Sequence, residues 1–298
     1  MTAVRVVGDA IVDAVFDGVD RYPDPGEEVL ATRRDLRPGG SGGYASLGLA
    51  ALGADVRVTT VVGSDPLSEY WVGSLADAGV DTSGIEQVPG KSVSVAAAFL
   101  GDDNRSFVTC RGAAAAGRTV VPEGTGAGAL LVTGFSQAPY LWSDALVASV
   151  RDAGVPVFLD TNWSPGDWQE TVDDLLPAVD YLLVNDTEAT RLAGAGTVEA
   201  AGAELLDRGV GACAITVGAE GCVLVTDDGV ERVGVEAVEA VDDCGAGDFF
   251  SAGLVVALSD GAALPEAARF GNRCARAAVG TFELQGKLAA VRDLEQSS

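Results

Sequence analysis

The residues of this chain best suited to chemistry cluster in "AVDDCGAGDFFSAGLVVALSDG", residues 240–261. Gly245, Ala246 and Gly247 are three small residues in a row, and Phe250, Leu254 and Val255 follow at helical spacing, so the small residues stand at a helix start. Backbone N–H groups point outward there, and the helix dipole adds partial positive charge, which together make a cradle for an anion. Asp248 places a carboxylate at its rim. A plainer reading stays open on these residues alone: a tight turn followed by a first-turn acid that the dipole favours.

Two other glycine signals compete. "GIEQVPGKS" approaches the P-loop pattern, but Ile85 stands where the first glycine belongs and the following "VSVAAAF" alternates like a strand where a helix is required. It is rejected. In "RPGGSGGYASLGLAALG", residues 37–53, Gly40, Gly42 and Ala45 satisfy the dinucleotide pattern G-x-G-x-x-A ahead of a helix. That pattern requires a strand just before its first glycine, and "TRRDLRPGG" carries three arginines and a proline there, which argues against a nicotinamide cofactor.

Composition narrows the chemistry further. The chain contains no histidine, which removes Ser/His/Asp and Cys/His triads and every His-ligated metal. A formal charge of −25 repels phosphate backbones and anionic headgroups, so neither nucleic acid nor membrane is expected as a partner. The only lysines are Lys91 and Lys287. Salt adaptation and Arg-favouring codon usage both account for an acidic, Lys-poor chain. Five scattered cysteines without a C-x-x-C pair suit a reducing compartment. With no cleavage pattern and no run of membrane-spanning length, a cytoplasmic location is expected.

Positioning such a site takes a scaffold, and the pattern of the chain supplies one. The β-branched runs "VRVV", "VRVTTVV", "ALLVTG", "VPVFLD", "YLLVN", "ACAITVG" and "CVLVT" alternate with helical segments. This predicts an α/β fold whose mainly parallel sheet is covered on both faces. Leu67, Tyr70, Trp71 and Leu75 predict an amphipathic helix against that sheet. Residues 12–38 and 91–112 break the rhythm as extended segments with a hairpin signal at Gly101–Asn104, and are expected to form a small antiparallel excursion able to act as a lid. The alternating "VERVGVEAVEAV" leads into the glycine cradle, and the tail after Arg292 is polar enough to fray. No repeat or linker divides residues 1–298, which read as a single domain.

The chain resembles the ribokinase-like (PfkB) carbohydrate kinases over nearly its whole length. "DDCGAGD", Asp242 to Asp248, resembles the family's D-T-x-G-A-G-D signature, with Asp243 in place of threonine. Gly39 to Gly53 resembles its N-terminal G-G-x-x-x-N signature, with Tyr44 at the asparagine. "VNDTEA" is similar to the N-x-x-E motif, "TVGAEG" to T-x-G-x-x-G, "GDAIVD" to the entry strand whose last acid contacts sugar hydroxyls, and "FGNRCA" to the helix beside the adenine pocket. The resemblance implies a three-layer α/β/α domain with a small β-sheet lid, and transfer of the ATP γ-phosphoryl group to a primary hydroxyl of a sugar. A nucleoside kinase of the same family and a catalytically silent sensor on the same fold are the alternatives.

Residue by residue, the resemblance implies Asp248 as base and the Gly245, Ala246 and Gly247 backbone as anion hole. An aspartate titrating near its ordinary ~3.9 is ionised at neutral pH. Asp13, Gly39, Gly40 and Tyr44 are implied on the sugar side, and Asn185, Thr216, Gly218, Gly221 and Asn272 on the nucleotide side. Glu188 is implied near Mg2+ through water, with Asn185 alongside, while Asn185 as a strand-end turn residue and Glu188 as a helix-start acid are the structural alternatives. Many members bind K+ through carbonyls beside the signature aspartate, for which Asp242 and Cys244 would supply part of a site; K+ is left open here. Arg105 and Arg111, on or after the lid, suit an acidic sugar or plain solvation. A homodimer through the lid is a further implication.

Overall fold

The computed structural model describes residues 2–19, 21–101, 105–116, 127–162 and 169–295. Thirteen strands among them fall into two sheets. The larger sheet joins β1 (Ala3–Val7), β4 (Asp55–Val62), β5 (Asp81–Gln87), β8 (Ala129–Val132), β9 (Val157–Asp160), β10 (Tyr181–Asn185), β11 (Ala212–Thr216), β12 (Cys222–Thr226) and β13 (Gly229–Val233) in the order β13-β12-β11-β10-β9-β8-β1-β4-β5. Pairing is parallel from β11 through to β5, while β12 pairs antiparallel both with β11 and with the edge strand β13. All seven expected strand runs are strands of this sheet.

Its nearly continuous apolar strands bury both faces, as a parallel sheet requires. Val4, Val6, Leu131, Phe158, Leu183, Ala214 and Leu224 face one core, which they share with α1 (Gly40–Ala51), α2 (Pro66–Asp77), α7 (Ala246–Ser259), α8 (Leu264–Val279) and α9 (Leu284–Glu295). Their strand neighbours Val7, Leu130, Leu159, Leu182, Ile215 and Val223 face the second core, against α3 (Asp144–Arg151), α4 (Gln169–Leu175), α5 (Asp186–Ala193) and α6 (Val198–Asp207). Period-two alternation thus sorts one strand's side chains into two layers. In α2, Asp65 caps the helix by accepting from Ser68 N at 3.1 Å, Pro66 opens the first turn, and Trp71 and Leu75 are fully buried.

The smaller sheet has the order β3-β2-β6-β7, from β2 (Ile11–Asp17), β3 (Arg33–Gly39), β6 (Ser94–Leu100) and β7 (Arg105–Cys110). It is mixed, not purely antiparallel as expected: β2 pairs antiparallel with β3 but parallel with β6, because the chain returns through α1, β4, α2 and β5 before laying β6 beside it. β6 and β7 form the expected hairpin, whose turn at 102–104 lies outside the described residues. One further expectation needs correction. A strand does precede Gly40, since β3 pairs along its whole length with β2; Pro38 and the arginines are tolerated because β3 is an edge strand of the small sheet. The alternating segment before the cradle is strand only to Val233 and irregular from there to Asp243. Of the tail expected to fray after Arg292, residues up to Glu295 belong to α9, and residues 296–298 lie outside the described residues. Among the described residues no helix is long and apolar enough to cross a membrane.

Candidate active site

The carboxyl ends of the parallel strands converge on the first turn of α7. Asp9 follows β1, Asp160 ends β9, Asn185 ends β10 and Thr216 ends β11. In an open parallel sheet this edge is where side chains from separate strands meet. Gly245 caps α7 with φ +82°, a left-handed conformation, and Asp248 lies buried in the first turn. A Cβ at Gly245 would sit 3.2 Å from the Tyr44 ring, so both backbone strain and the aromatic wall demand glycine there. Ala246 N–H donates to Asp243 O at 3.1 Å in this conformation.

On one side of that turn lies a cleft of about 610 Å³. Its walls include Asn185, Glu188, Thr216, Gly218, Gly221 and Asn272, with Ala246 and Gly247 at its end. Small-molecule sites commonly span about 300–1,000 Å³. Every residue expected on the nucleotide side is therefore in one place. Their local bonds are specific: Asn185 Oδ1 accepts from Glu188 N at 2.8 Å, and Glu188 Oε2 accepts from Asn185 N at 3.2 Å, a complete capping box at the start of α5. Thr216 Oγ1 donates to Val184 O at 3.5 Å. Asn272 Nδ2 donates to Val233 O at 3.0 Å and Gly234 O at 3.4 Å, so its amide braces the cleft's rim.

The residues expected on the sugar side lie across Gly245. Asp13 and Tyr44 are both buried, and their polar ends face each other. A Cβ on Gly39 would collide with the Asp13 carboxylate, so the bare backbone serves the close approach of Asp13 itself. Gly40 N–H also points to Asp13, and Arg37 offsets its charge. Burial pushes Asp13 up to about 6, against the pull of Tyr44 and Arg37. Burial also pushes the Tyr44 phenol well above its ordinary value, and the Asp13 charge adds to this. The Tyr44 ring tilts against Phe249, centroids 6.4 Å apart. Arg111 reaches Gln137 Oε1 at 3.4 Å and Ser136 O at 3.3 Å, so it is anchored to the protein as well as half-buried. The Arg105 side chain lies outside the described atoms.

Four residues that the sequence reading passed over belong here. Asp9 is buried, accepts from Gly42 N at 2.9 Å, and is pushed to about 8 by burial and by the charges of Asp248 and Asp13. Asp160 accepts from Ser251 Oγ at 3.1 Å; burial, Asp248 and Glu188 hold it well above the carboxylate range. Asp248 thus stands between acids on both sides. A lone acid closing an apolar strand, as in "VFLD", was the one available signal for Asp160. The other two, Arg37 and Lys287, are wholly buried and both contact Asp242 Oδ2, at 2.7 and 3.2 Å. Burial alone would raise Asp242, but Lys287 and Arg37 outweigh it and hold the carboxyl below its ordinary value.

Residues 1–290 match the pfkB family carbohydrate kinase model. A ribokinase of Bacillus subtilis is 28% identical over 301 residues, covering 99% of each chain. The solved structure of Arabidopsis thaliana ribokinase complexed with ribose and ATP superposes with a TM-score of 0.81 at 25% identity, covering 100% of both chains. A nucleoside kinase structure from Methanocaldococcus jannaschii shares the fold, with a TM-score of 0.82 at 20% identity, over 100% of this chain and 99% of that one.

Proposed function

The chain belongs to the pfkB family of carbohydrate kinases and is a phosphotransferase with an alcohol acceptor, and from that premise we propose that it transfers the γ-phosphoryl group of ATP to a primary hydroxyl of a sugar or sugar derivative. One observation carries this reading: the first turn of α7 separates the cleft lined by Asn185, Thr216 and Asn272 from the niche of Asp13, Gly39 and Tyr44. A donor in the cleft and an acceptor in the niche would meet at Gly245–Asp248. The A. thaliana relative, whose structure holds ribose and ATP, supports the same pair of ligands.

Phosphoryl transfer asks for positioning and charge stabilisation. The N–H groups of Gly245, Ala246 and Gly247 face the transferring group's oxygens, with Ala246 exchanging its Asp243 carbonyl for one of them. Asp248 accepts the acceptor's hydroxyl proton as that oxygen bonds to phosphorus and the bond to the ADP oxygen breaks. Asp13, with the Gly39 and Gly40 backbone around it, accepts hydroxyl hydrogen bonds and orients the acceptor. Mg2+ fits the donor set: Asp160 and Glu188 offer carboxylate oxygens, and their charges and that of Asp248 destabilise one another, which a divalent cation would relieve. Glu188 and Asp160 would hold it, in part through water, and it would neutralise the phosphates.

The test is a coupled ADP-release assay over sugars, sugar acids and nucleosides. ADP release is expected only with an acceptor present, and Asp248→Asn is expected to lower turnover roughly 10²–10⁴-fold while ATP still binds. Near wild-type turnover in that variant would eliminate the proposed base. Release with nucleosides but no free sugar would assign the niche to a ribosyl group carrying a base, the alternative within the same family.

A further inference from the structure

Lys287 is one of only two lysines in the chain, and it is wholly buried in α9. Its Nζ donates to Asp242 O at 2.6 Å and to Cys244 O at 3.3 Å, and it lies 3.2 Å from Asp242 Oδ2. Three acceptors match the three N–H bonds of an ammonium. These are the groups of Asp242 and Cys244 for which the family resemblance implies a monovalent cation. The donor set does not fit an added K+, because an ammonium already holds it. Charge leads to the same conclusion: Arg37 Nη1 approaches Asp242 Oδ2 at 2.7 Å and Arg37 Nε approaches Asp35 Oδ2 at 2.9 Å, so two cations already face two carboxylates. Another cation here would lie beside two buried positive groups, and the neighbouring Asp243 carboxylate, which comes within reach of Asp242 and Cys244, is exposed to water and so repays little of its dehydration.

We infer that the Lys287 ammonium takes the place of a monovalent metal ion and frees this kinase from K+. Residues 242 and 244 immediately precede Gly245, and Cys244 N–H also donates to Asp242 Oδ1 at 2.9 Å. An ammonium bonded to both carbonyls therefore fixes the backbone that aims the first turn of α7. Its tether to α9 makes that fixation independent of ion concentration. Lys287 is a positioning residue, since it acts on the phosphoryl group only through Gly245–Gly247.

This inference rests on the reading of Gly245–Gly247 as the anion hole, and two readouts separate its failure from failure of that reading. In the ADP assay, wild-type turnover is expected to stay within about twofold when KCl is replaced by NaCl or choline chloride at equal ionic strength, since no metal ion contributes to the aim of the anion hole. Lys287→Met in choline chloride is expected to lose roughly 10–100-fold in kcat, the usual cost of removing a group that orients a site. Addition of K+ or NH4+ is expected to restore much of that loss saturably. In parallel, thermal melting of wild type is expected to show no K+-specific rise, and melting of Lys287→Met is expected to show one, since the ion binds only the folded variant. Wild-type turnover that requires K+ overturns the inference, as does a folded variant that is fully active in choline or that no monovalent cation restores. Should Lys287→Met not fold, the wild-type ion series decides alone; should no acceptor release ADP, the wild-type melting series decides.

Discussion

Tyr44 is the residue that gives the niche its shape. Its ring lies against Gly245 and Phe249 while its hydroxyl end faces Asp13, so it touches the proposed anion hole and the proposed acceptor ligand at once. An asparagine, which the family signature has at this position, would leave much of that volume open and would offer an amide with donors and an acceptor in place of one hydroxyl. Tyr44→Asn is therefore expected to change the order of acceptors in the ADP assay, with bulkier sugars gaining kcat/KM relative to the best wild-type substrate. An unchanged order would place the acceptor away from the ring. Gly39 has a related meaning: its missing side chain is where the Asp13 carboxylate rests, so its part in the proposed acceptor niche is to make room for Asp13.

At the scale of elements, α5 illustrates how one residue can serve structure and chemistry together. Glu188 closes the capping box with one oxygen, while its charge bears on Asp160. The two roles separate by substitution. Glu188→Gln retains the cap, since glutamine serves at this position as well as glutamate, and is expected to leave the melting temperature within about 1 °C while lowering turnover and weakening the Mg2+ dependence of the ADP assay. Glu188→Ala keeps the Asn185 cap on the backbone N–H of residue 188 but loses the bond that Asn185 N–H donates to the Glu188 side chain, about 1 kcal/mol, and is expected to melt roughly 2 °C lower. Equal turnover in wild type and Glu188→Gln would leave Glu188 as a capping residue only. The sheet edge explains why the residues gather at all: β1, β9, β10 and β11 run parallel, so their carboxyl ends deliver Asp9, Asp160, Asn185 and Thr216 to one end of the fold.

At the scale of the whole molecule, buried acids make stability depend on pH. Asp9 titrates at about 8 in the fold against an ordinary 3.8, so the folded state keeps a proton that the unfolded chain releases. Stability therefore falls as pH rises from about 4 to about 8, and levels off above the folded value. Asp13, pushed to about 6, contributes in the same direction over the lower part of that window. Asp9→Asn preserves an oxygen acceptor for Gly42 N–H but cannot ionise. It is expected to flatten the decline in melting temperature between pH 5 and pH 8 and to raise the value at pH 8. A wild-type melting temperature that climbs steadily to pH 8, with no difference in the variant, would show that Asp9 is ionised in the fold throughout.

Much of this was local information and therefore readable from the chain. Alternating apolar periods give strands and helices their faces, and a run of small residues before an acid marks a helix start suited to an anion, because both depend on neighbours a few residues away. The α/β class, the seven strands and the Gly245–Asp248 turn follow from that. Long-range juxtaposition decided the rest. Lys287 reaches Asp242 from 45 residues away, and Asp160 meets Ser251 from 91 residues away. The pairing of β6 alongside β2 made the small sheet mixed, and α1 is buried on nearly every side, with its glycines in contact with Asp9, Pro38 and Phe249. A side chain's charge state and role depend on what it is buried against, and spacing along a chain does not contain that information; the tertiary fold alone put an ammonium on the carbonyls ahead of Gly245.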